Sequence, residues 1–139
     1  MDMERPKLIK LTRSLHFTTL PAFIFIENRY TDSMHAFLTN YAEEVCRICE
    51  KFRVRRLSAF GSACTEQFTD NSDIDLLYLF DTERLPLVEY ADNFFDFRES
   101  LQKLFQRRID LVPEKTLSNP YFYEEIAKTK VLIYEQSSE

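Results

Sequence analysis

The chain has 139 residues, the size of one ordinary domain, with 45% hydrophobic and 29% charged residues, the balance of a globular protein rather than a disordered one. Thirteen Phe and seven Tyr supply bulk for a packed core. The net charge of −5 argues against direct nucleic-acid binding, which draws on a basic surplus to displace counterions from phosphates.

An acidic protein that handles phosphates needs divalent metal between itself and the ligand. Cys46, Cys49 and Cys64 are an odd number without the spacing of a disulfide framework. The longest apolar run, Leu20 to Ile26, contains Pro21 and is too short to span a bilayer. Basic residues near the start (Arg5, Lys7, Lys10, Arg13) are not followed by the apolar core and cleavage site of a leader. The expected compartment is a reducing cytoplasm, with no membrane partner.

Residues 1–33 mix Pro6, Pro21, scattered charges and a short apolar patch without a sustained period. They read as a peripheral or poorly ordered extension to a domain over 34–135, with 136–139 as a tail. From Met34 the pattern is regular: Met34, Phe37, Leu38, Tyr41, Val45, Ile48, Cys49 and Phe52 recur at steps of three and four, one face of a helix. Asp32 or Ser33 caps its start.

Val54 to Phe60 reads as a strand ending at Gly61-Ser62, and Ile74 to Phe80 as a central strand. Pro86 opens a second helix expected to turn Val88, Ala91, Phe94, Phe95, Leu101, Leu104 and Phe105 inward. Arg108 to Val112 is a strand stopped by Pro113. A short helix around Tyr121 to Lys128 and a strand from Val131 to Tyr134 follow. This order predicts an α+β fold, a mixed sheet of about four strands with helices packed against it.

Gly61 is the only glycine, placed where a strand ends and the chain must turn close to something. Asp73 and Asp75 bracket Ile74, and the two-residue period of a strand puts both carboxylates on one face, with Ile74 and Leu76 on the other. Carboxylates that close repel unless a cation lies between them, and magnesium takes oxygen ligands while keeping places for phosphate oxygens. Asp110, with Ile109 and Leu111 turned away from it, supplies a third carboxylate if its strand lies beside the one carrying Asp75. Three carboxylates can hold two metals, the arrangement suited to phosphoryl or nucleotidyl transfer. The blander alternative pairs Asp110 with Arg107 or Arg108.

Taken together, Gly61-Ser62, a ten-residue interval, Asp73-Ile74-Asp75 and a third aspartate one helix later resemble the nucleotidyltransferase superfamily of the DNA polymerase β type. The closest resemblance is to its minimal members, the MNT antitoxins of HEPN–MNT toxin–antitoxin pairs, and covers roughly Met34 to Glu135. It implies the polymerase β palm-like fold. It also implies that Gly61 and Ser62 hold the triphosphate of ATP. Asp73, Asp75 and Asp110 would then bind magnesium, two ions in that family, and Asp110 would help deprotonate the attacking hydroxyl.

The implied activity is transfer of AMP to a tyrosine of a HEPN ribonuclease toxin. The alternatives are an antitoxin that neutralises its toxin by binding alone, and a nucleotidyltransferase acting on a small molecule. Known enzymes of the last kind carry an additional helical domain. One departure stands out: Cys64, Thr65 and Glu66 occupy positions where many MNT proteins have a small residue, an arginine and a glycine. Arg53, Arg55 and Arg56 are candidate substitutes for the missing phosphate contact. Cys46 and Cys49 read as buried thiols on the first helix rather than metal ligands. Tyr121-Phe122-Tyr123 could be either core or partner surface.

Overall fold

A computed structural model of the chain describes residues 7–9, 22–26, 32–65, 69, 71–116 and 119–137. The elements in order are strands β1 (Lys7–Ile9) and β2 (Ala22–Ile26), helix α1 (Asp32–Lys51), strands β3 (Val54–Phe60) and β4 (Ile74–Phe80), helix α2 (Tyr90–Phe105), strand β5 (Ile109–Pro113), helix α3 (Pro120–Thr129) and strand β6 (Val131–Gln136). Among the described residues the strands form one sheet in the order β1-β2-β6-β3-β4-β5. Neighbours are antiparallel except β4 and β5, which run parallel across the α2 crossover.

The four expected strands are the centre and one flank of this sheet. Two more come from the segment read as an extension: β2 pairs with β6, and β1 with β2. The run Ala22-Phe23-Ile24-Phe25-Ile26 is continuously apolar, with β-branched Ile24 and Ile26 and two aromatics, which suits a strand, although its brevity hides any period. The rest of 1–33, apart from Asp32 and Ser33, which open α1, lies outside the described residues, as do the last two residues.

The main core lies on one face of the sheet. There Ile74, Leu76, Tyr78 and Phe80 of β4, Val54, Leu57 and Ala59 of β3 and Ile109 of β5 meet Val45, Cys46 and Cys49 of α1 and Phe97, Leu101 and Phe105 of α2. Burial pushes the Cys49 thiol up, the opposite of what a thiolate metal ligand needs. On the opposite face only a small cluster forms, Phe60 and Leu77 beneath Ile126 of α3, with Val112 beside them. Among the described residues one face is therefore covered by two helices, and the other carries only α3.

The inward face of α2 differs from the expected one. Leu87 and Val88 are 87% and 89% exposed, and Phe95 is 54% exposed. Pro86 opens a short 3-10 turn over Leu87–Glu89, and the α-helix starts only at Tyr90. The buried stripe therefore runs through Phe97, Leu101 and Phe105, with Tyr90, Phe94 and Leu104 packed beside it. Tyr121, Phe122 and Tyr123 on α3 are surface residues.

Candidate active site

Strand parity settles which side chains share a face. Asp75 and Leu77 stand on the open face of β4, opposite Ile74, Leu76 and Tyr78, which face the main core. The parallel register puts Asp110 of β5 directly beside Asp75, while Ile109 and Leu111 turn to the core. On its other side Asp75 pairs with Phe60, the last residue of β3. The next residue is Gly61, so the glycine turn and both carboxylates meet at one end of three adjacent strands.

Gly61 opens a 3-10 turn over Gly61–Cys64 and has a φ of +73°. The positive φ does not by itself explain the glycine, because Arg53 and Gln106 adopt φ of 57° and 52° elsewhere in this chain. What glycine uniquely provides is the missing Cβ, which would lie 2.7 Å from Asp75 Oδ2. The turn is closed by Thr65, whose backbone N–H and hydroxyl both donate to the Ser62 carbonyl at 3.1 and 2.9 Å. Ser62 is exposed at the turn.

The electrostatics set Asp75 apart from an ordinary surface carboxylate. The Asp75 carboxyl is held above the usual carboxylate range by burial, then by the charge of Asp110 beside it, a hydrogen bond with the Asp110 carboxyl, and the charge of Asp73. Two carboxyl groups placed this close, half-buried on an open sheet face, are stabilised by a shared proton or by a divalent cation. An all-oxygen donor set favours magnesium over softer metals.

Asp73 stands apart from the pair. It precedes the first residue of β4, outside the ladder, and its side chain is exposed. Among the described residues no three His, Cys, Asp or Glu side chains surround one point at metal-binding distance. The structure thus brings Asp75, Asp110 and Gly61 together and leaves Asp73 contributing its charge from the approach loop. The alternative partner for Asp110 is also present, since Arg108 Nε lies 3.7 Å from Asp110 Oδ1, but both side chains are substantially exposed and the contact is loose.

Two contributors were not visible in the sequence. Arg107 Nη1 donates to the carbonyls of Thr69 and Ser72 at 2.6 and 2.9 Å, tying down the loop that delivers Asp73. Thr129, at the end of α3, accepts the Gly61 N–H at 2.8 Å through its hydroxyl. No motif points to either, because each acts through backbone atoms far away in sequence.

Arg53, Arg55 and Arg56, the candidate substitutes for the missing phosphate contact, are engaged elsewhere. They lie toward the other end of β3 and pair with Glu89, Asp81, and Glu114 together with Glu135, respectively. Cys64 is half-buried and packs on the edge of the main core; Glu66 lies outside the described residues.

Comparison with known proteins agrees with this geometry. Residues 43–139 match the family model "Polymerase beta, Nucleotidyltransferase". The chain is similar to the protein adenylyltransferase MntA of Thermococcus cleftensis, 30% identical over 88 residues, 63% of this chain and 81% of that protein. It is also similar to a Methanocaldococcus jannaschii protein named "Putative protein adenylyltransferase", 27% identical over 84 residues, 60% of this chain and 81% of that one. Among solved structures, one titled "Structure of putative minimal nucleotidyltransferase" superposes with a TM-score of 0.55 at 25% identity, covering 69% of this chain and 92% of the other. With a matched model spanning most of its length and the acidic pair beside the glycine turn, this chain belongs to the polymerase β nucleotidyltransferase family.

Proposed function

We propose that this nucleotidyltransferase moves AMP from magnesium-bound ATP to a tyrosine hydroxyl of a HEPN-type toxin in the cytoplasm, and so acts as that toxin's antitoxin. The observation that carries the reading is the in-register pair Asp75 and Asp110 set against the Gly61 turn. The choice of a protein acceptor is supported by the relatives named protein adenylyltransferases.

In this reading Asp75, Asp110 and Asp73 would hold magnesium, two ions, which would supply charge stabilisation for the attacking and leaving oxygens. Gly61 offers a surface without a side chain and Ser62 an exposed hydroxyl to the triphosphate. Asp110, on the outer strand of the site and partly open to solvent, takes the proton of the acceptor hydroxyl. The new bond joins that oxygen to the α-phosphorus, the α–β bridging P–O bond breaks, and pyrophosphate leaves.

The test is intact-mass measurement of the partner toxin after incubation with this protein, ATP and magnesium, alongside the Asp73→Asn, Asp75→Asn double variant. A gain of one or more AMP units that the variant does not produce supports the reading. A stable complex with no gain in mass replaces it with neutralisation by binding, the direction in which the Cys64-Thr65-Glu66 departure points.

A further inference from the structure

We infer that Thr129 is a positioning residue of this site: its hydroxyl holds the Gly61 amide and thereby fixes the turn against which the Asp75 carboxylate stands. The hydrogen bond joins residues distant in sequence, at 2.8 Å. It lies just beyond the end of a strand pairing, where α3 runs into β6 and β3 runs into the glycine turn. β6 pairs antiparallel with β3, Val131 opposite Ala59 and Leu132 opposite Ser58. Continuing that register two residues brings Thr129 opposite Gly61.

The same residue ends α3, whose single buried side chain among those described is Ile126. Thr129 is therefore a second tie between this helix and the sheet face that carries the carboxylates. Because a Cβ at Gly61 would lie only 2.7 Å from Asp75 Oδ2, the turn forms the wall against which the carboxylate rests. A turn released from Thr129 frees Asp75 to drift. The occupied amide also leaves phosphate recognition at this turn to other groups, Ser62 first among them. In the native turn the Gly61 N–H is satisfied by a side chain, so removing that acceptor leaves a half-buried donor without its partner.

The inference rests on the proposed function for its consequence, but its geometric half can be read without any nucleotide. Gly61 is the only glycine, so protein grown with 15N-glycine gives one backbone amide resonance, and that resonance is the atom in question. Thr129→Val keeps the shape and removes the acceptor; Thr129→Ser keeps the hydroxyl and removes the methyl. The expected result is a slowly exchanging amide in the native protein and in Thr129→Ser, with exchange at least about tenfold faster in Thr129→Val. Affinity for magnesium with a non-hydrolysable ATP analogue should fall about tenfold in Thr129→Val and stay within about twofold in Thr129→Ser, with the melting temperature of Thr129→Ser close to native and that of Thr129→Val lowered by about 3–6 °C for the unpaired donor.

Unchanged exchange in Thr129→Val overturns the positioning role, as does equal loss of nucleotide affinity in both variants, which would assign the effect to methyl packing. If the amide behaves as expected but the native protein and Asp75→Asn bind the magnesium nucleotide equally poorly, the failure belongs to the proposed function, and the inferred consequence for the site falls with it.

Discussion

Gly61→Ala separates two costs that usually arrive together. The first is conformational: an alanine at φ +73° pays roughly 1–2 kcal/mol for the left-handed region, offset by about 0.4–1 kcal/mol because the unfolded chain is also stiffened. The net loss of stability is about 1 kcal/mol, a fall of roughly 3–6 °C in Tm for a domain of this size. The second cost is positional. The new Cβ meets Asp75 Oδ2 at 2.7 Å, and ordinary contact requires the carboxylate to retreat by about 0.7 Å. A carboxylate at the end of a short side chain can swing aside cheaply, so this displacement hardly registers in stability. It registers in chemistry, where a shift near 1 Å at a reacting centre costs about 10²-fold. The assay pairs urea unfolding with initial rates of labelled AMP incorporation into the acceptor. Loss of about 1 kcal/mol with a hundredfold lower rate is expected. A variant with near-native rate refutes the close-approach argument, and a loss of several kcal/mol with a rate to match reduces it to a folding defect.

Three further outcomes follow from the same geometry. Asp75 carries a raised carboxyl pKa in the folded state, so its contribution to stability is complete below the unfolded value and is lost as pH rises through the folded one. Metal-free Asp110→Asn should therefore melt higher than native protein at neutral pH and no longer be stabilised by added magnesium, as scanning fluorimetry with and without the ion would show. Asp81 has the opposite sign: burial pushes it up, but the hydrogen bond and charge of Arg55, the Glu83 N–H and the charge of Arg84 outweigh that and hold it below the usual range. Its contribution is present above the unfolded value and lost as pH falls through the folded one, so Asp81→Asn should flatten the acid limb of a pH–stability curve at a cost of about 1 kcal/mol near neutrality. Arg107→Ala should lower the transfer rate about tenfold with Tm nearly native, because it frees the loop before Asp73 rather than the core. Since a single nitrogen makes both carbonyl bonds, Arg107→Lys should recover part of the rate.

Much of this was legible in the sequence where one physical rule acted alone. Strand parity placed Asp75 on the face away from Ile74 and Leu76, and Asp110 away from Ile109 and Leu111, as found. Parity could not supply register, and only the parallel pairing shows that Asp75 meets Asp110 rather than a neighbour. The inward face of α2 differs from the linear pattern at Val88, Ala91 and Phe95, all exposed, because the proline opens a 3-10 turn and the α-helix starts only at Tyr90, which shifts the buried stripe to Phe97, Leu101 and Phe105. The strand at Ala22–Ile26 was too short to show a period. Thr129 left no trace, and Arg107 was considered only as a partner of Asp110 and not of the loop carbonyls it binds, since a side chain bonding to distant backbone follows from packing alone.

The crossover between β4 and β5 has a consequence for how the protein matures. Asp75 and Asp110 come from opposite sides of the α2 connection and face each other only once the parallel pair has zipped, so the site exists only in the folded sheet. The same step brings two like charges together, so the site is a locally frustrated patch that resists the completion of its own sheet. A divalent ion that binds only the finished pair turns this resistance into a thermodynamic pull, worth about 2.7 kcal/mol at a hundredfold excess over its dissociation constant. Under the proposed function, magnesium would stabilise the native chain as well as take part in its chemistry, and scarcity of the ion would lower stability together with rate.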